Sequence, residues 1–172
     1  NKHSGRAQGP IAYTEGRMGS GLKLTPTTLL LWRVPAIRQG TVEMWVKPDN
    51  LNTYRLTSAH LGGTPVGLTV DMKLNSTGKM HTEIHSGSWR RSGWAGKIKI
   101  GEWQHVAATW GPSGVKTYIN GKQIAAGPAA PLNRGTAFWV LGASKRSGKN
   151  GISGVVDEFR VSNIVREFSP ED

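Results

Sequence analysis

The segment Met80-His81-Thr82-Glu83-Ile84-His85 places three titratable side chains at every second position. In an extended chain His81, Glu83 and His85 share one face, while Met80, Thr82 and Ile84 share the other. Two imidazoles flanking one carboxylate suit either a transition-metal site or a proton-transfer set in a lyase or hydrolase acting on acidic sugars. The competing reading is a solvated strand face with cross-strand partners. It is favoured because no second motif supports catalysis, and because the paired carboxylates that glycoside hydrolysis requires occur on no strand. The expectation is therefore a non-enzyme whose His81/Glu83/His85 face touches ligand.

The next segment, His85 to Lys97, carries Trp89, Arg90, Arg91 and Trp94 among Ser and Gly residues. Indole faces stack on the apolar faces of sugar rings, and guanidinium groups form paired hydrogen bonds with sulfate or carboxylate. Two indoles bracketing two arginines in a loop thus point to an acidic polysaccharide, sulfated or uronate-rich. The alternative is an indole folded over a sheet edge with the arginines merely solvating the loop. A second basic run, Lys145-Arg146-Ser147-Gly148-Lys149-Asn150, would extend the same electrostatic footprint, or would be a plain solvated loop.

Overall charge agrees with an anionic partner. Twenty-two Lys and Arg against 11 Asp and Glu give a formal charge of +11, a field that attracts polyanions and is weakened by salt. Nucleic acid is disfavoured because no recognisable nucleic-acid module is present. There is no cysteine, so disulfide staples and thiolate metal sites are excluded. No apolar run reaches the roughly 20 residues needed to span a bilayer as a helix. The opening Asn1-Lys2-His3 suggests a mature or excised piece of a longer protein.

The elements that must position these residues are short. Gly 23 and Pro 9 are scattered along 172 residues, which is turn punctuation for a strand-rich chain. After a polar N-terminal tail, strands are expected at Thr28 to Val34, Gly40 to Pro48, Tyr54 to His60, Val66 to Met72, Lys79 to Ser86, Trp103 to Trp110, Val115 to Ile119, Thr136 to Gly142 and Gly154 to Ser162. Others bring the total to eleven or twelve. In Gly40 to Pro48, Val42, Met44 and Val46 alternate with Glu43, Trp45 and Lys47, and Asn120-Gly121 is a strong two-residue hairpin turn. Ser169-Pro170-Glu171-Asp172 has the N-cap, N1 proline and acids of a starting helix. The whole, residues 1–172, reads as a single all-β domain, a two-sheet antiparallel jelly-roll sandwich.

Five segments in order carry a family resemblance: Glu15-Gly16-Arg17-Met18-Gly19-Ser20-Gly21-Leu22, Gly40 to Pro48, Gly101 to Trp110, Tyr118-Ile119-Asn120-Gly121-Lys122 and Gly154 to Ser162. Together the chain resembles the laminin-G-like, concanavalin A-like lectin/glucanase jelly rolls of large secreted bacterial proteins. The resemblance implies a secreted or cell-surface accessory domain, a carbohydrate-binding module often covalently linked to a catalytic domain; the alternative is a protein-binding, adhesion or spacer domain. It implies no required cofactor. It gives Asp157, read as sharing a strand face with Phe159 and Val161, two roles: hydrogen bonding to buried backbone, or helping to hold a structural calcium.

Overall fold

The computed structural model describes residues 5–33, 37–52, 54–60, 70–85, 88–129, 138–143 and 151–170. Fourteen strands, and no helix, occur among them: β1 (Gly5–Gln8), β2 (Ala12–Glu15), β3 (Ser20–Leu24), β4 (Leu29–Arg33), β5 (Gly40–Pro48), β6 (Tyr54–His60), β7 (Val70–Leu74), β8 (Met80–His85), β9 (Trp89–Arg91), β10 (Gln104–Gly111), β11 (Gly114–Ile119), β12 (Lys122–Gly127), β13 (Phe138–Leu141) and β14 (Gly154–Ser162). Accordingly no helix is long and apolar enough to cross a membrane among the described residues. The strands form two antiparallel seven-stranded sheets, β1-β4-β13-β6-β7-β8-β9 and β12-β11-β10-β5-β14-β3-β2, stacked as a jelly-roll sandwich.

Alternation decides which side chains enter the sandwich. On β5, Val42, Met44 and Val46 are buried in the core and Glu43, Trp45 and Lys47 face outward, as the sequence pattern predicts. Val106, Ala108 and Trp110 of β10 join them from the adjacent strand, and Met72, Met80, Ile84 and Trp139 close the core from the opposite sheet. Trp110 and Trp139, both fully buried, meet across the two layers with ring centroids 5.9 Å apart. Fully burying one such large side chain contributes roughly 1.5–3 kcal/mol.

The β11–β12 hairpin turns at Asn120 (φ 47°) and Gly121 (φ 71°), the paired positive φ values that a type I′ turn needs. The Asn120 side chain also accepts the backbone N–H of His105 at 2.9 Å, tying the turn to β10.

Three expectations need correction. The described part of the polar N-terminal tail includes strand: β1 pairs with β4, and β2, which starts at Ala12, pairs with β3, through backbone hydrogen bonds that leave their side chains exposed. Trp89–Arg91 is an edge strand on β8 rather than loop. Residues 171–172 of the expected helix start lie outside the described residues; Ile164 to Pro170 form a non-helical strap over the outer face of the second sheet. Finally, Asp157 does not share a face with Val161. A β-bulge, with Glu158 at φ 49°, shifts the register of β14 so that Asp157 and Arg160 both pair with outward-facing β5 residues, Trp45 and Glu43, while Val161 pairs with core-facing Val42.

Candidate functional site

The outer face of the first sheet, turned away from the core, gathers most of the residues singled out by their chemistry. Register brings them together: Lys73 pairs with His81, Glu83 with Arg91, and His85 with Trp89. Behind them, core-facing Met80 and Ile84 fix β8.

Trp94 reaches the same face by a different route. Past β9, the chain folds back along β8 through Ser92 N–H to the Thr82 carbonyl (3.0 Å) and reciprocal bonds between Met80 and Ala95 (2.9 and 3.0 Å). Gly93 (φ 86°) and Gly96 (φ 71°) supply the left-handed backbone on either side of Trp94. Beneath this crossing, the hydroxyls of Thr82, Ser92 and Thr117 form a buried chain at 2.7 and 2.8 Å, satisfying polar groups that burial would otherwise penalise.

Trp94 lies almost parallel to the His81 imidazole, with centroids 4.7 Å apart and 24° between the planes. Trp89 packs at a tilt on His85, at 4.8 Å, and the Arg91 guanidinium sits 5.4 Å from the Trp89 ring centre. Both indoles keep about two-fifths of their surface in solvent, 44% for Trp89 and 43% for Trp94. They form two braced platforms, each backed by a histidine.

Glu83 is the electrostatic hub. It is nearly fully buried, as is His81, so the expected solvated strand face is instead a covered ionic cluster. Its carboxylate takes a hydrogen bond from Lys73 and lies 3.2 Å from His81 Nε2 and 3.3 Å from Arg91 Nε. Burial alone would raise its pKa, but the hydrogen bonds from His81 and Lys73, the Lys73 charge and the Arg91 bond outweigh it and lower the value to about 2. A carboxylate so held stays ionised and engaged, which makes it a poor proton donor or acceptor near neutrality. Nor do the three residues converge on a metal: no group of three or more His, Asp or Glu side chains able to hold an ion occurs among the described residues.

The remaining candidates lie apart. Arg90 pairs with Ile84, on the other face of β9 from Trp89 and Arg91, and donates to Ser88 Oγ at 2.6 Å. Lys145 and Arg146 lie outside the described residues. Asp157 is on the other sheet, where Oδ2 accepts the Met18 N–H (2.9 Å) and Oδ1 the Glu158 N–H (2.8 Å). It thus hydrogen-bonds backbone on both carboxylate oxygens.

One feature of the same outer face has no signal in the linear sequence. At the opposite edge of the sheet a cleft of about 650 Å³ opens between β1, β4 and β13, with Leu29, Leu31 and Phe138 in its walls and Arg6, Gln8 and Arg33 around it. Its residues are far apart in the chain and meet only through the pairing of Arg6 with Leu31, Gln8 with Leu29 and Phe138 with Arg33.

A family model described as the concanavalin A-like lectin/glucanases superfamily matches residues 20–172. No curated protein matches the chain in sequence. Among solved structures, domain 4 of AbnA, a GH43 extracellular arabinanase from Geobacillus stearothermophilus in complex with arabinotriose, is similar with TM-score 0.74 and 24% identity over 96% of this chain and 84% of that one. The Ruminococcus gnavus IT-sialidase CBM40 bound to alpha2,3 sialyllactose aligns with TM-score 0.63 and 20% identity, covering 77% and 79% of the two chains. The SAP-like pentraxin of Limulus polyphemus gives TM-score 0.62 and 18% identity over 96% and 78%. At these identities the likeness is one of fold.

Proposed function

This chain belongs to the concanavalin A-like lectin/glucanases superfamily, and from that premise we propose that it is a non-catalytic carbohydrate-binding module for an acidic, sulfated or uronate-rich polysaccharide. The observation that carries the reading is the pair of half-exposed indoles, Trp89 and Trp94, braced by His85 and His81 on one outer sheet face beside the exposed Arg91. Rigid, partly solvated indoles bind sugar rings at low entropic cost because their orientation is fixed beforehand. The formal charge of +11 supports an anionic ligand by long-range attraction.

Two structures of similar fold have bound sugars, arabinotriose in one and sialyllactose in the other, and each belongs to a larger enzyme. Their example supports a secreted or surface-attached domain covalently linked to a catalytic partner. A non-catalytic role is supported by the way both carboxylates of this face are engaged: Glu83 is ionised and triply held, and its cross-strand neighbour Asp71 is ion-paired with Arg55.

Affinity electrophoresis of the full chain through gels holding sulfated, uronate-rich or neutral polymers tests the reading. Retardation in the acidic gels that shrinks as salt rises, and that is lost in Trp89→Ala/Trp94→Ala, is the expected outcome. Unretarded migration in every gel would sink it, and a falling polymer viscosity would show turnover instead.

A further inference from the structure

The two edges of the outer face differ in how their cations are engaged. At the tryptophan edge, Arg91 and Lys73 are both held by Glu83, and Arg90 bonds Ser88 on the other side of its strand. At the cleft edge, Arg6 and Arg33 are exposed, and neither has a carboxylate within ion-pair distance among the described residues. No acidic side chain lines the cleft among the described residues either. The Arg33 guanidinium lies 5.4 Å from the Phe138 ring centre, which orients it over an aromatic wall.

An apolar wall of Leu31 and Phe138, flanked by two unneutralised guanidinium groups and the Gln8 amide, matches one ligand chemistry well. A sugar ring presents an apolar face to such a wall while its carboxylate or sulfate accepts paired hydrogen bonds from arginine. The apolar part is firmly built: Leu29, Val140 and Ala143 are buried on this outer face as a small cluster separate from the main core, with Leu31 packed against them. Such a satellite cluster gives the cleft a fixed floor before any ligand arrives.

We propose that the cleft between β1, β4 and β13 is an anion-recognising sugar subsite, engaging a charged unit of the same polysaccharide chain that Trp89 and Trp94 hold at the opposite edge. The proposal rests on the carbohydrate-binding reading for its ligand class and adds where the acid is recognised. From β4 to β9 the sheet order passes five strand spacings, so the two edges lie about 24 Å apart at ~4.8 Å per strand. Only a polymer of several units can reach both, and for such a chain the second contact is intramolecular, which raises affinity without a new type of interaction.

Calorimetric titration of the full chain with an acidic uronate disaccharide, the corresponding octasaccharide and its neutral methyl-esterified form is the test, with a sulfated, uronate-free octasaccharide separating sulfate from carboxylate recognition. The acidic octasaccharide should bind much more tightly than the disaccharide. Arg6→Ala/Arg33→Ala should weaken the acidic octasaccharide by about tenfold or more while leaving the neutral one unchanged. Trp89→Ala/Trp94→Ala should weaken both, and Arg33→Lys, which keeps the charge but loses the paired donors, should fall between parent and double variant. Acidic octasaccharide binding by Arg6→Ala/Arg33→Ala within about twofold of the parent overturns the cleft subsite while the tryptophan platform stands. A parent that binds none of the octasaccharides overturns both.

Discussion

Trp94 and Glu83 both hold the same imidazole: the indole stacks on the His81 ring, and the carboxylate lies 3.2 Å from its Nε2. The buried ion cluster is thereby coupled to the exposed platform through one side chain that is itself only 4% exposed.

His81→Ala should therefore weaken glycan binding through loss of the support behind Trp94. The lost ring contact corresponds to about 0.5–1.5 kcal/mol, or a roughly two- to tenfold fall in affinity, and the Trp94 emission should move to longer wavelength as its supported face meets water. His81→Phe, which keeps an aromatic support, should restore both. Fluorescence of His81→Ala identical to the parent, with unchanged affinity, would show that Trp94 does not depend on this backing.

Glu83 sets an acid limit on stability. Its folded pKa, at about 2, lies below the ordinary 4.5, so the stabilisation it gives is fully present above pH 4.5 and is lost as the pH falls through 2. In that window Glu83→Gln should show a flatter decline of stability with acid than the parent. At neutral pH the substitution should cost on the order of 3 kcal/mol, because it leaves Lys73 and Arg91 facing a neutral amide in a partly buried site. Denaturant melts between pH 2 and 7 check both statements; parallel curves for the two proteins would contradict the assignment.

Asp157 works as a clasp between β14 and the turn before β3. Its Oδ2 receives the Met18 N–H, and the chain packs so closely there that a Cβ on Gly16 would collide with the carboxylate. Asp157→Ala should therefore cost about 1–2 kcal/mol, in the range of lost side-chain caps, and Gly16→Ala should destabilise as well. Because backbone N–H groups fill the role, the melting temperature of the parent should not move on adding a chelator. A clear drop with chelator would reassign the residue to a cation site.

Much of this architecture was legible because it depends on short-range pattern. Alternation on β5 set its two faces, Asn120-Gly121 set the hairpin, and the period of two put His81, Glu83 and His85 together. What escaped depends on pairing between distant segments. Nothing local in His81-Thr82-Glu83 announces that Lys73 and Arg91 arrive on neighbouring strands and turn a solvated face into a covered ion cluster. The β14 bulge escaped for a related reason: Val155 to Ser162 alternates plausibly, and only the left-handed Glu158 reverses the face on which Asp157 lies. β1 and β2 lacked any hydrophobic alternation because backbone hydrogen bonds, not burial, hold them.

The second sheet offers a control built from the same chemistry. Glu43 is nearly fully buried there, 3.3 Å from His105 Nε2 and 3.7 Å from Arg160, and it bonds Arg166 of the terminal strap. Burial tends to raise its pKa, but the His105 hydrogen bond and the Arg166 charge and hydrogen bond outweigh that and hold it below the usual carboxylate range. Unlike Trp94, the aromatic ring over this cluster is set into a packed surface: Phe168 lies 5.5 Å from His105 and 5.0 Å from Tyr118, and Thr41 secures the strap by donating to the Ile164 carbonyl and accepting the Arg166 N–H. Arg166→Ala/Phe168→Ala should lower stability by roughly 2–4 kcal/mol, since it removes a partner of a buried carboxylate together with a half-buried aromatic. The same variant should bind acidic glycan with an affinity within about threefold of the parent, having lost only one positive charge from the opposite sheet. Denaturant titration and affinity electrophoresis separate the two effects, and a stable double variant that no longer binds would move the ligand surface to the second sheet.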